Sequence, residues 1–406
     1  MSSAAECGKI HFLSELSAPK QSSKPENTGK GDVFMAANSV NTVFEYLAWR
    51  GDLSFQSSPF NEVDGVILAR LSYMPFEYLE DAAKKGITVG DAARKLLLRP
   101  DIKEIALIEG DVPLLDALKD NERFCGMVVS DFVNEIDEKT QTQFSAVCIK
   151  LDENESYISF RGTDNTLVGW KEDFNMGFVC PVPSQVLATE YLNQAAKRHE
   201  TGTFRVGGHS KGGNLAVYAA AFCEKAVKER ISAVYNYDGP GFDRTVLEKD
   251  GYREICERTR TFVPQSSVVG MLLGHEEAYT IVHSTQVGIM QHDLYSWEVM
   301  RNRFVYLDTV TGGSKMVDYT LKNWLAQTSA ADRERVIDAV YAIFAETHVR
   351  TVKELSENWY MAAKSMIKTL NGLDEPTRAL VNEAIATLMK SARIGFDKTF
   401  RDRKEK

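Results

Sequence analysis

The spacing of apolar residues changes character several times along this 406-residue chain. Residues 1 to about 40 carry many Ser, Lys, Gly and Asn and few large apolar groups, a composition that predicts poor order. From Asn41 to about residue 120, apolar clusters alternate with polar breaks, which predicts short helices packed on a core that follows. Asp64–Tyr73 is the clearest of them, with Val63, Ile67, Leu71 and Met74 at helical spacing. Three runs rich in β-branched and aromatic residues come next: Phe124–Phe132, Phe144–Lys150 and Tyr157–Phe160. Polar turns at Asp137-Glu138-Lys139 and Asp152-Glu153-Asn154-Glu155 separate them, so antiparallel hairpins are expected.

Beyond Arg161 the pattern becomes helix–strand alternation. A helix at about 184–199 precedes a strand at 203–207, and a further helix runs to about 229. Strands follow at Ser232–Tyr237, Arg260–Val263, Tyr279–His283 and Arg303–Leu307. Strands alternating with helices imply a parallel sheet whose site lies at the carboxyl ends of its strands. From Met316 the chain reads as helical again. Ser329–Asp332 and Thr351–Glu354 fit helix N-caps, with apolar stripes at Val336, Val340, Ile343 and Phe344 and at Val381, Ile385 and Leu388. The expected architecture is α/β: a mostly parallel sheet with flanking helices over 41–310, including the N-terminal helical segment, and a C-terminal helical extension over 311–406. That extension is expected to pack on the core, with a lid or a partner-binding surface as the other reading.

Candidate chemistry concentrates at Gly208-His209-Ser210-Lys211-Gly212, between the strand at 203–207 and an alanine-rich helix. G-x-S-x-G between strand and helix is a nucleophile elbow: the serine is held on a sharp turn with its hydroxyl clear of the sheet, and small residues let strand and helix pass. A serine hydroxyl needs a base, and the base needs a carboxylate to orient it. The expected chain order is Ser, acid, His. His292 lies in a loop after a strand and is the preferred base, with His283 next; His209 reads as a strand-end packing residue and His275 as a flap residue. Asp238 ends an apolar strand and opens the turn Gly239-Pro240-Gly241, which makes it either the acid or a turn aspartate. An oxyanion hole would take the backbone N–H of Lys211 and a donor from Arg161-Gly162-Thr163, with the Thr163 hydroxyl as an addition. The Lys211 side chain is expected to point away from the Ser210 hydroxyl, which argues against a Ser–Lys dyad.

Composition narrows the partners. A net charge of −9 argues against nucleic acid and anionic membranes. The N-terminal stretch lacks a secretory pattern and no run approaches 18 uninterrupted apolar residues, so a cytoplasmic protein without a transmembrane segment is expected. The six cysteines are scattered without a C-x-x-C pair, and no phosphate loop appears, so neither a metal nor a cofactor is expected.

Three segments together carry a resemblance. Phe160-Arg161-Gly162-Thr163, Trp170-Lys171-Glu172-Asp173 and Gly208-His209-Ser210-Lys211-Gly212-Gly213 resemble the FRGT, W..D and GHSLGG series of the class-3 (fungal-type) lipases. The GHSKGGN form, with NEVDGVILARLSY upstream and YDGPGF downstream, is similar to a bacterial family of lipase-like α/β-hydrolases, over roughly residues 50–310. The resemblance implies an α/β-hydrolase with Ser210 as nucleophile, Thr163 at the oxyanion hole and His292 as the late histidine before a tryptophan. One departure stands out. Those lipases carry their acid in a D-x-V-P-like segment, whereas Phe262–Gly270 here has no carboxylate, and the acid is therefore expected at Asp238. The expected activity is hydrolysis of carboxylic esters, of small molecules or lipids. The other reading is a non-catalytic scaffold of the same fold that binds a partner through its helical extensions.

Overall fold

In the computed structural model, residues 40–312 are described apart from 80, 165–166 and 177–179, with shorter pieces between 329 and 386. The expected segment up to residue 39, the cap at Thr351 and the stripe residues Val340, Ile343, Phe344, Ile385 and Leu388 lie outside them.

The N-terminal clusters fold as helices α1 (Val43–Arg50), α2 (Glu62–Leu71), α3 (Ala82–Lys85), α4 (Val89–Leu97), α5 (Ile102–Ile105) and α6 (Asp111–Leu118). Local chemistry starts the first two. Thr42 with Glu45, and Asn61 with Asp64, form reciprocal capping boxes. The apolar stripe read on α2 is one side of a helix buried from Val63 to Leu71, because further packing surrounds it. Its polar members are paired. Arg123 forks onto Asp64 at 2.7 and 2.6 Å, and Arg70 onto Asp111 at 2.6 and 2.7 Å.

One nine-stranded sheet organises the rest. It opens with the short β1 (Ile87–Thr88) and the antiparallel strands β2 (Val128–Asp137), β3 (Thr142–Lys150) and β4 (Glu155–Phe160). It continues in parallel through β5 (Thr203–His209), β6 (Ile231–Tyr237), β7 (Thr259–Pro264) and β8 (Tyr279–Val282). β9 (Val299–Met300) and β10 (Arg303–Phe304) pair with each other, and β11 (Tyr306–Leu307) closes the far edge against β8. Helices α7 (Leu167–Asn175), α8 (Pro183–Arg198), α9 (Lys211–Phe222), α10 (Lys225–Glu229), α11 (Arg244–Leu247) and α12 (Asp250–Cys256) fill the connections. The architecture is α/β: a mixed sheet, parallel from β4 to β8, with helices on both faces.

Some boundaries differ from the sequence reading. The first long strand starts at Val128, because hydrogen bonds from the Cys125 and Met127 amides to Asn121 and Phe124 close turns ahead of it. The expected strand 303–307 splits at Val305, which bonds outward in both directions, to Glu298 and His283. The long helix after the elbow breaks at Cys223, whose backbone is extended. α7, α11 and α12 are short and carry no sustained apolar period, and the sequence reading places no helix at any of them.

Alternation along the strands sorts side chains onto two cores. In β3, Val147 and Ile149 join the core under α1, α2, α4 and α6, while Phe144, Ala146 and Cys148 join the core under α8, α9 and α12. Near the C-terminus, Val336, Ala339 and Val381 pack together with Leu370, Leu373 and Leu380. There the Ser329 hydroxyl accepts the Asp332 amide at 3.1 Å, as its sequence predicts, and Asp338 pairs with Lys171 of α7 at 2.9 Å. Among the described residues no helix is long and apolar enough to cross a membrane.

Candidate active site

β5 leads directly into α9, and the single residue between them is Ser210, at φ 58° and ψ −134°. L-residues rarely occupy this region, and the strain holds only where the surroundings over-determine it. Here close packing does so. A Cβ on Gly208 would stand 2.4 Å from the Gly212 backbone, and one on Gly212 would stand 2.1 Å from the Phe160 carbonyl oxygen. The Ser210 amide donates to the Tyr237 carbonyl at 3.0 Å, which fixes the turn against the end of β6.

One residue beyond Tyr237, Asp238 is fully buried and also has positive φ, at 52°. Its Oδ2 lies 2.6 Å from His292 Nδ1. Its Oδ1 accepts the Ser267 hydroxyl and the Gly270 amide, the latter at 3.1 Å. A Cβ on Gly270 would crowd Oδ1 at 2.3 Å and Val263 Cγ1 at 2.7 Å, so any larger residue there would displace the carboxylate. The segment that lacks a carboxylate thus supplies two donors to a carboxylate from the preceding strand. With Nδ1 engaged, Nε2 is the His292 nitrogen left for proton exchange. Ser210 follows β5 and Asp238 follows the neighbouring β6, while His292 comes from the loop beyond β8; Ser210 and His292 are not hydrogen-bonded to each other among the described residues.

The loop carrying His292 is pinned from several sides. His209 Nε2 donates to the His292 carbonyl at 2.9 Å, and the two rings lie 4.4 Å apart. Burial holds the His209 pKa well below its ordinary value, so this imidazole is neutral. Tyr73 OH reaches His209 Nδ1 at 3.2 Å and accepts the Gly162 amide at 3.0 Å. Farther along the loop, Tyr295 OH donates to Asp111 at 2.8 Å, and the buried Trp297 indole donates to the Gln291 carbonyl at 2.9 Å. His283 pairs instead with Glu298 at 2.6 Å. His275 is largely buried between Glu277 and the Gly270 carbonyl, at 2.9 and 2.8 Å, so it braces the loop rather than forming a flap.

The loop after β4 meets the serine from the other side. A Cβ on Gly162 would stand 3.1 Å from Ser210 Cβ. The Thr163 hydroxyl donates to Asp173. Lys211 is buried, and its ammonium donates to the Gln143 carbonyl and Oε1 at 2.8 Å each and to Glu172 at 3.0 Å. The Glu172 carboxylate also accepts the amides of Gln143 and Ser184, at 3.0 and 2.9 Å. Lys211 is therefore a strut between α9, β3 and α7.

Two expected outcomes follow from this cluster. Lys211→Ala leaves Glu172 buried without its cation and should cost about 3–5 kcal/mol in urea unfolding; a loss under about 1 kcal/mol would contradict the strut. Burial also raises the Asp173 carboxyl to about 6, against the pull of Lys211 and the Thr163 hydroxyl. A carboxyl with a raised folded pKa contributes stability below its unfolded value, and that contribution disappears as pH rises through the folded value. The melting temperature should therefore fall between about pH 4 and about pH 6 in wild type relative to Asp173→Asn; parallel curves for the two proteins would count against it.

A family model described as Mbeg1-like matches residues 118–342, more than half of the chain, and extends past the expected boundary at 310. The chain belongs to the Mbeg1-like family. Among solved structures it is similar to a mutant form of MDLA from Penicillium cyclopium, with 14% identity and a TM-score of 0.35 over 60% of this chain and 84% of that one. It is also similar to a Rhizomucor miehei lipase propeptide complex, with 16% identity and a TM-score of 0.33 over 64% and 79%. Lipase II from Rhizopus niveus matches with 14% identity and a TM-score of 0.32 over 55% and 90%. No curated protein matches the chain.

In this Mbeg1-like protein the structure brings Asp238 to His292 and places Gly162 against Ser210. It ties the Thr163 hydroxyl to Asp173 and turns the Lys211 side chain into the core. Sequence reasoning missed the supporting residues Tyr73 and Gly270 and the part played by His209. A buried tyrosine and a glycine in an apolar run carry no local signal of such a role.

Proposed function

We propose that this Mbeg1-like protein is a serine hydrolase of carboxylic esters, with Ser210 as nucleophile, His292 as base and Asp238 as the acid that orients it. The observation that supports this reading best is the short Asp238–His292 contact one strand end away from the strained Ser210 turn. His292 Nε2 takes the Ser210 proton as the hydroxyl oxygen attacks the ester carbonyl, and Asp238 holds the imidazole in the required tautomer and stabilises the imidazolium. Substrate binding closes the gap between serine and imidazole, since such contacts tighten in the Michaelis complex. The Lys211 amide, at the first position of α9, and the Thr163 amide are the proposed oxyanion donors. His292 then returns its proton to the leaving alcohol, and water hydrolyses the acyl-enzyme by the same path. The half-buried run Val268–Leu273 lies beside Asp238 and offers apolar surface suited to an acyl group, which favours small-molecule or lipid esters as substrates.

A fluorophosphonate probe tests the assignment. Labelling of wild type that disappears in Ser210→Ala supports it. Absence of labelling in folded wild type would favour the non-catalytic scaffold.

A further inference from the structure

A second constellation stands toward the amino ends of the parallel strands, where α8 ends just ahead of β5. It begins with an irregularity in β2. Pairing with β3 shifts register between Ser130 and Val133, and Asp131 there has φ 55°. Regular alternation would send Asp131 to the same face as Val129. The extra residue breaks that alternation: Val129 and Phe132 both join the first core, while Val133 packs on the second. The bulge turns the Asp131 carboxylate toward the α8 side of the sheet, where Cys148 of β3 is buried.

On that side Asp131, Cys148 and His199 bring one ligand atom each within 4.8 Å of one another. His199 Nε2 is 3.1 Å from Asp131 Oδ2 and 3.5 Å from Cys148 Sγ. A single imidazole nitrogen carries either a proton or a lone pair. The lone pair suits the thiol but opposes the carboxylate. The proton suits the carboxylate and leaves the sulfur a weak acceptor. A cation between the three satisfies all of them at once. Zinc bonds of about 2.3 Å to sulfur and about 2.0–2.2 Å to nitrogen and oxygen, opened at the tetrahedral angle, place ligand atoms about 3.4–3.6 Å apart. The two spacings from His199 Nε2 are within a few tenths of an ångström of that, and the carboxylate and the sulfur lie within 4.8 Å of each other.

Outer contacts hold the ligands as metal sites require. Arg198 Nε donates to Asp131 Oδ1 at 2.7 Å, leaving Oδ2 for the site, and Tyr191 OH donates to the Asp131 carbonyl at 3.0 Å. We propose that Asp131, Cys148 and His199 form a zinc site whose fourth position is taken by water, entering where His199 is about one-third exposed. Binding breaks the Cys148 S–H bond and forms a zinc–sulfur bond, and the proton leaves to solvent. Thiolate and carboxylate together balance the charge of the ion. The site staples the β2–β3 hairpin to the end of α8, away from Ser210. The site takes a single cysteine, with the histidine after a later helix, which is why cysteine spacing gives no hint of it.

The full chain, stripped of metal, is titrated with Zn2+ against a chromophoric chelator and, separately, with Co2+. Wild type should bind one equivalent of zinc with a raised melting temperature, and cobalt should show a thiolate charge-transfer band in the near ultraviolet. Cys148→Ser should lose that band although five other cysteines remain, and His199→Gln should weaken zinc binding about a hundredfold or more. Asp131→Asn, which leaves the core untouched, gives the same reading should Cys148→Ser fail to fold. No stoichiometric zinc binding by wild type, or an unchanged affinity in all three variants, overturns the proposal.

Discussion

Ser210→Ala is expected to lower hydrolysis of a short-chain nitrophenyl ester by about a thousandfold or more while leaving the melting temperature close to wild type. The alanine keeps the Cβ and removes only the hydroxyl oxygen. The strained turn at φ 58°, the close approach of Gly208 to Gly212 and the amide bond to Tyr237 all stay as they are. The oxyanion donors also remain, so a small residual rate above that of water is part of the expectation. Turnover near the wild-type level in a folded Ser210→Ala protein would remove the serine from the mechanism.

Asp238→Asn is expected to lower turnover on the same ester by a similar order, about a thousandfold or more, with a much smaller loss of stability. The amide has one acceptor oxygen and one donor nitrogen where the carboxylate has two acceptors. Ser267 and Gly270 both donate to one side of the site, so the asparagine oxygen must turn toward them. Its NH2 then faces His292 Nδ1, which can answer only with a lone pair. The ring proton is driven onto Nε2, and the nitrogen meant to take the serine proton is already occupied. Steady-state kinetics with urea melts of the same protein read both quantities. A variant that keeps more than about a tenth of wild-type turnover would exclude Asp238 as the orienting acid.

Short-range chemistry made much of the site readable in the sequence. The elbow is a property of five consecutive residues, and the strand ahead of it and helix behind it follow from adjacent periodicity. Asp238 and His292 are 54 positions apart, yet Asp238 is marked by its place just beyond an apolar strand and His292 by the loop that follows a later one. The supports were not readable for a physical reason. Tyr73 reaches His209 across 136 positions, and Arg70 reaches Asp111 and so Tyr295 through folded geometry alone. Lys211 reads as a helix-start cation with no partner in view, because Gln143 and Glu172 meet it only once β3 and α7 are in place. The same limit explains the strand that splits at Val305, since a bond made to two different neighbours leaves no trace in alternation.

The pins on the His292 loop also bear on how little of this chain can work alone. Tyr73, Arg70 and Asp111 all precede residue 118, where the segment matched by the Mbeg1-like model begins. The core beneath β5 to β8 on that face is likewise filled from Val43 onward. A chain cut to 118–342 would retain Ser210, Asp238 and His292 but leave the imidazole-bearing loop without its tyrosine and arginine–aspartate anchors, and the sheet with one apolar face bare to water. The unit that holds the candidate site in place therefore reaches back to α1, and its extent is set by what braces the Asp238–His292 pair rather than by the glycine-flanked serine alone.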